Sequence, residues 1–232
     1  MLRVLEGCET CALTTHPFLA RLERAALTGL NLLHQRRDYQ RGDVIFRQGE
    51  AADDVFCISS AVVRLSRTDQ GGRRSVVGVV AGGGVVGLSA ALHPDTVHLC
   101  DAEATVGGSA CTFSRADLLE LNDQFPRLGV VLCGELARES ERGMRQAAML
   151  TEPRLEPRLA AVLLELAFPG RSGTLVVADG LTRADLAGLC GVSREAVARC
   201  LSRWQKAGLV RTAGGPISLL DDAALRQRQW AG

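Results

Sequence analysis

Apolar residues at Phe18, Leu19, Leu22, Ala25, Ala26 and Leu30 fall at helical spacing, which predicts one N-terminal helix over residues 17–33. From Tyr39 the period shortens. Residues 44–46, 55–58, 62–65 and 76–80 are short β-type runs, each bounded by Gly, Asp, Gln or Ser. Val106-Gly107-Gly108-Ser109 predicts a hairpin, because glycine accepts positive φ at both central positions. Many short strands with regular turns predict a β-roll or barrel of about 80 residues.

The helical period returns at Ser114, with Asp117 three residues later as an N-terminal capping pattern. Pro126 marks a break and a restart at a first turn. The helix expected over residues 127–150 carries Leu132, Leu136, Glu139, Gly143, Ala147 and Leu150 along one stripe, in coiled-coil steps of three and four. Such a helix either packs on its own domain or pairs with a second copy. Its length, and its place between two dissimilar segments, favour pairing, with Leu132, Leu136, Gly143, Ala147 and Leu150 as the interface. The seam's centre is poor in apolar residues, so the pairing is expected to be weak and adjustable. Residues 151–157 carry Pro153 and Pro157 and form a hinge candidate. A helix over 158–168, a turn over 169–173 and a strand over 174–177 follow. The expected division is a sensor domain, 1–113, a long-helix region, 114–151, and a C-terminal domain, 152–232.

The C-terminal domain carries the strongest pattern. Thr182 caps a short helix that ends at Gly191, and Ser193 caps a second helix to about Lys206. Small Ala187, turn-forming Gly191 and apolar Val197 have the layout a helix-turn-helix needs, with Leu186, Leu189, Leu201 and Trp204 completing its packing. Residues 209–212 and 216–219, joined through Ala-Gly-Gly, read as a β-hairpin wing. From Ser193 to Arg211 the chain holds five cations (Arg194, Arg199, Arg203, Lys206, Arg211) against Glu195 alone, a local +4 in a protein of net +1. A basic helix on a near-neutral protein is an electrostatic footprint for phosphates; the alternative is a solvated helix face.

Composition bounds the rest. The chain has 232 residues, 47% hydrophobic and 23% charged, which is globular and not disordered. The near balance of charge excludes a uniformly basic coat. The N-terminus lacks the apolar centre of a signal peptide. The uncharged run over residues 75–94 holds five glycines and ends in His93-Pro94, so it reads as strands and turns rather than a membrane span. A cytoplasmic location is expected. The Gly-rich stretch 82–87 lacks the Lys-Ser/Thr of a phosphate loop, so no enzyme is expected. Eight cysteines are many, and cytosolic thiols stay reduced. Cys57, Cys133, Cys190 and Cys200 sit in apolar patterns and read as inert core residues. The pair Cys8-x-x-Cys11 reads as a redox dithiol, a zinc half-site or a pair without a role.

Over nearly its whole length the sequence resembles the Crp/Fnr family of bacterial transcription regulators. Arg41-Gly42-Asp43-Val-Ile-Phe46-Arg-Gln-Gly49-Glu50 is similar to the opening of its cyclic-nucleotide-binding-type β-roll, and Gly191-Val-Ser-Arg-Glu-Ala-Val-Ala-Arg199 to the start of its recognition helix. The resemblance implies an α+β chain: a β-roll, a long dimerisation helix and a winged helix-turn-helix. It implies a homodimer that binds palindromic double-stranded DNA and works with RNA polymerase. Arg194, Glu195 and Arg199 match the family's base-contacting positions, with Ser193, Arg203 and Lys206 beside them; Arg suits guanine O6/N7 and Glu suits cytosine N4. The family's ribose-binding Glu and phosphate-binding Arg are absent from residues 86–91 and 96–101, so cAMP is not expected.

The cysteines are Fnr-like. Cys8, Cys11 and Cys111 match three thiolate ligands of an oxygen-sensing [4Fe–4S] cluster. The family's third N-terminal cysteine is missing, which leaves His16 as the fourth-ligand candidate. If Gly107-Gly108 closes a two-residue hairpin, residue 104 pairs with 111 and Cys100 lies roughly 13 Å away, too far to share a cluster. Haem, thiol-oxidation or cofactor-free regulation remain the alternatives for a signal of oxygen, redox change or nitric oxide.

Overall fold

The computed structural model describes residues 21–72, 74–93, 95–170, 173–213 and 215–229. In chain order the elements are α1 (Arg24–Leu33), β1 (Gln35–Tyr39), β2 (Val44–Phe46), β3 (Asp54–Ile58), β4 (Val62–Thr68), β5 (Arg74–Val80), β6 (Val85–Val86), α2 (Leu88–Leu92), β7 (Asp101–Val106), β8 (Gly108–Ser114), α3 (Arg115–Gln124) and α4 (Arg127–Thr151). The chain continues with α5 (Leu155–Glu165), β9 (Ala167–Pro169), β10 (Leu175–Val177), α6 (Arg183–Cys190), α7 (Arg194–Lys206), β11 (Val210–Arg211), β12 (Ser218–Leu219) and α8 (Asp222–Gln229). They form two units, one of residues up to 67 with 80–141, the other of 68–79 with 142–232.

The first unit is the β-roll with its helices. One antiparallel sheet has the order β1-β8-β3-β6; in another, β7 lies between β2 and β4. Alternation along the strands divides the apolar residues. Phe56 and Ile58 of β3 and Ala110 of β8 join Tyr39, Phe46, Val63, Ala102 and Ala104 inside the roll. Val55, Cys57, Cys111 and Phe113 face the other way, onto Leu22, Ala26 and Leu30 near and within α1, Leu118 and Leu121 of α3, and Leu128, Val131 and Leu132 of α4. The Ser114 cap forms as expected, its side chain accepting the Asp117 N–H at 3.0 Å.

The expected hairpin at Gly107-Gly108 does not form. β7 pairs with β2 and β4, whereas β8 pairs with β1 and β3, so Gly107 passes the chain from one sheet to the other. Neither glycine has positive φ. Gly108 is needed for close approach instead: a Cβ there would lie 2.4 Å from the Ala61 backbone nitrogen. The 104–111 pairing, and the Cys100 separation built on it, therefore fall. β1 also escapes the pattern rules. Its sequence, QRRDY, is polar and exposed until Tyr39, as suits an edge strand held by ladder hydrogen bonds to β8.

In the second unit the break after α4 is shorter than expected. α4 runs to Thr151 and α5 starts at Leu155, with Pro157 inside the first turn, where a missing N–H costs nothing. The predicted helix over 158–168 ends at Glu165, because Ala167, Phe168 and Pro169 pair with β10 as β9. One core gathers Leu159, Leu163, Leu186, Val197, Leu201 and Trp204, with Val76 and Val79 packed against it.

Candidate functional site

The helix-turn-helix is set by three local devices. Thr182 and Asp185 form a reciprocal capping box: the Asp185 N–H donates to Thr182 Oγ1 at 3.1 Å, and the Thr182 N–H donates to Asp185 Oδ2 at 2.7 Å. Gly191 ends α6 in the left-handed region, φ 63° and ψ 37°, and its N–H bonds to Ala187 and Gly188 carbonyls. Ser193 opens α7 by accepting the Ala196 N–H at 3.2 Å. Ala187, Val197, Leu186, Leu201 and Trp204 are all buried, as the spacing requires. Arg158 Nη1 donates to the Cys190 carbonyl at 2.8 Å and so satisfies an end of α6.

A Cβ at residue 191 would meet the positive φ and also Leu150 Cδ2 at 3.0 Å. Gly191→Ala is therefore expected to destabilise the protein by about 1–2 kcal/mol, the cost of a left-handed L-residue. Chemical denaturation against the parent measures it; an unchanged midpoint would show that the turn tolerates a side chain.

The exposed side of α7 displays the side chains expected to contact DNA. Ser193, Arg194, Glu195, Arg199, Arg203 and Lys206 are all exposed, and Val197, Cys200, Leu201 and Trp204 turn inward. Arg194 Nε lies 3.6 Å from Glu195 Oε1, an exposed pair open to water. A hydrogen bond from its own backbone N–H is the main cause holding the Glu195 carboxyl below the usual carboxylate range. Arg203 differs from its neighbours, since its Nη2 meets Glu156 Oε1 of α5 at 2.9 Å. The wing is present, with Val210 opposite Leu219 and Arg211 opposite Ser218. Cys190 and Cys200 are buried in the core as expected, and burial pushes the Cys190 thiol up to about 12 and raises that of Cys200.

The long helix has two faces. Leu128, Val131, Leu132 and Glu135 are buried in their own unit, and Leu136 packs half-buried against the same core. Glu139 Oε1 accepts from Ser89 Oγ at 3.1 Å. Leu132, Leu136 and Glu139 thus serve the protein's own first unit. Gly143, Ala147 and Leu150 of the expected stripe are exposed. Another exposed face carries Val130, Cys133, Ala137, Ser140 and Met144, none of them on the expected stripe, and runs on to Ala147, which is; all six are exposed and uncharged, in alternating steps of three and four. Cys133 is exposed there and is no core residue, contrary to expectation.

Of the expected cluster ligands, Cys8, Cys11 and His16 lie outside the described residues. Cys111 is 6% exposed, on β8, in the core shared with α1, α3 and α4. Cys57 stands directly opposite it on β3. Among the described residues no group of three or more His, Cys, Asp or Glu could hold a metal ion. Cys100 is half-buried, its thiol pushed up to about 11, first by burial and then by Asp101 and Glu139.

Residues 157–228 match the family model of the Crp-like helix-turn-helix domain, and residues 36–125 match that of the cyclic nucleotide-binding domain. The nitrogen fixation regulation protein FixK of Bradyrhizobium diazoefficiens is 27% identical over 222 residues, 93% of this chain and 91% of that protein. The transcriptional activator protein anr of Pseudomonas aeruginosa is 25% identical over 222 residues, 94% of this chain and 90% of that protein. The structure of FixK2 from Bradyrhizobium japonicum aligns with a TM-score of 0.76 at 22% identity, covering 86% of this chain and 99% of that one. A β-roll followed by a long helix and a winged helix-turn-helix defines a class of DNA-binding transcription regulators rather than enzymes. The chain belongs to the Crp/Fnr family, whose regulators bind DNA, generally as dimers. No helix among the described residues is long and apolar enough to cross a membrane.

Proposed function

We propose that the protein is a cytoplasmic, homodimeric regulator that reads a palindromic operator with α7, works with RNA polymerase, and responds to oxygen, redox change or nitric oxide through an iron–sulfur cluster. The exposed, capped and basic face of α7 carries the DNA reading. Arg194, Glu195 and Arg199 read base edges, and Ser193, Arg203 and Lys206 hold the backbone, with Arg203 drawn partly toward Glu156.

Arg199→Ala is expected to weaken operator binding by about 1–3 kcal/mol and to relax preference at one G·C pair. Lys206→Ala should weaken every sequence alike and lower the salt slope by about 0.9. Titrations of operator and scrambled duplexes at several salt concentrations separate the two; equal, sequence-independent losses would remove base reading from Arg199.

In this reading the two copies pair along the uncharged face of α4, through Val130, Cys133, Ala137, Ser140, Met144 and Ala147. All six are exposed on the single chain, whereas Leu132 and Leu136 are engaged in its own core.

Cys8, Cys11 and Cys111 hold the cluster, with His16 as candidate fourth ligand. Thiol donors suit iron–sulfur ligation, and the group would supply reactivity toward oxygen and nitric oxide. The placement of Cys111 supports a sensor role, because it shares one core with Leu128, Val131 and Leu132 of α4. Leu22, beside α1, packs there too, and the eleven residue steps from Cys11 to Leu22 span at most about 40 Å, so the N-terminal thiols can reach it. A cyclic nucleotide is disfavoured because residues 86–91 offer no Glu to a ribose and residues 96–101 no Arg to a phosphate.

A further inference from the structure

β3 and β8 are antiparallel neighbours with Cys57 directly opposite Cys111. The Ser59 N–H donates to the Ser109 carbonyl at 2.9 Å, and the Arg115 N–H donates to the Asp53 carbonyl at 2.7 Å. Hydrogen-bonded pairs alternate along an antiparallel ladder, so 53/115, 55/113, 57/111 and 59/109 are the hydrogen-bonded pairs. Ile58, between them, confirms the phase by donating to Gly84 on its other side. Cα atoms of such a pair lie about 5.5 Å apart. That is within the roughly 4.4–6.8 Å a disulfide requires. The two side chains also lie on one face of the sheet, in one apolar core. Their Cβ atoms, at about 5 Å for such a pair, sit just beyond the roughly 3.5–4.5 Å of a relaxed disulfide. A small inward shift of the two strands closes the gap, and the resulting bond is strained and easily reduced.

The thiols differ in surroundings. Cys57 is 1% exposed and Cys111 is 6% exposed. Ser59 Oγ, half-buried at the end of β3, lies 3.9 Å from Cys111 Sγ, within reach of a weak hydrogen bond to sulfur. Cys111, the more exposed of the two, is the thiol a peroxide reaches first.

We propose that Cys57 and Cys111 are a modification site, a dithiol that a peroxide converts to a cross-strand disulfide. The Cys111 thiolate attacks one oxygen of hydrogen peroxide, the O–O bond breaks, and a sulfenic acid forms as the departing hydroxide takes up the thiol's proton to give water. The Cys57 sulfur then attacks the sulfenic sulfur, the S–S bond forms, and a second water leaves with the Cys57 proton. Two thiols are oxidised and one peroxide is reduced to two waters. The site belongs to protein without a cluster, so it stands whether or not Cys111 binds iron. The bond would draw β3 and β8 together beneath Leu128, Val131 and Leu132, which places the modification against the first turns of α4.

The experiment uses the full chain, purified in air and stripped of iron by a chelator, treated with hydrogen peroxide and then alkylated without reduction. Trypsin leaves Cys100 and Cys111 in one peptide, because no Arg or Lys lies between Arg74 and Arg115. The link is therefore mapped in a Cys100→Ser background. The expected result is a peptide pair joined through Cys57 and Cys111, lighter by two hydrogens, absent in Cys57→Ala and restored to thiols by a monothiol reductant. Circular dichroism of Cys57→Ala checks that the fold persists. Sulfenic or sulfinic acid on Cys111 without a link, a link from Cys111 to Cys8 or Cys11 instead, or unreacted thiols would each overturn the proposal. Iron content measured on untreated anaerobic protein reports on the cluster separately.

Discussion

Ala137→Glu is expected to turn the dimer into a monomer and to weaken binding to a two-half-site operator by about 10²–10⁴-fold, the factor that linking two binding modules supplies. Residue 137 lies at the middle of the uncharged face of α4, and in a two-fold parallel pair a seam position faces its own copy. Two carboxylates would then meet where small side chains packed. The single chain should fold as before, because Ala137 is exposed and belongs to none of the buried clusters. Leu132→Ala is the contrasting variant. Leu132 is 4% exposed within its own unit, so its loss should cost about 2–5 kcal/mol of folding stability while leaving a dimer among the folded molecules. Sedimentation and denaturation together decide. A dimer that survives Ala137→Glu but is lost in Leu136→Glu would move the seam to the stripe that runs through Leu132 and Leu136.

The winged helix-turn-helix could be read from the sequence because its signals are local and agree: a capping box at Thr182 and Asp185, glycine where φ is positive, and a serine cap three residues before the N–H it accepts. The order of β-roll, long helix and DNA-binding unit was legible for the same reason. What failed depended on partners distant in sequence. Val106-Gly107-Gly108-Ser109 has the composition of a hairpin, yet its glycines serve a close approach to Ala61 and a change of sheet. β1 has no hydrophobic alternation, since its neighbour β8 and not its own side chains makes it a strand. On α4, periodicity located one stripe, through Leu132 and Leu136, but could not say that the protein's own core would occupy part of it. Ser89 and Cys57 were invisible as partners of Glu139 and Cys111, being fifty and fifty-four residues away.

Cys111→Ala is expected to abolish iron binding and, with it, the oxygen dependence of operator binding. Anaerobically purified parent should carry about four irons per chain if the cluster is a cubane, with broad visible absorbance that fades in air. Among the described cysteines Cys111 alone combines the Fnr-like position with a place in the core that holds the start of α4. In the proposed reading, losing a ligand there would remove the tie between the N-terminal thiols and that core, the kind of local change that biases a two-state element. Cys133→Ser is the control, because that exposed thiol sits on the opposite face of α4 and should leave iron content unchanged. Alanine is chosen at 111 to avoid burying a hydroxyl in apolar surroundings. His16→Ala should make the cluster more labile if His16 is the fourth ligand. Parent protein that holds no iron after anaerobic reconstitution, or Cys111→Ala that retains it all, would falsify the iron–sulfur reading; a sharp Soret band would move haem ahead, and its absence would leave thiol oxidation.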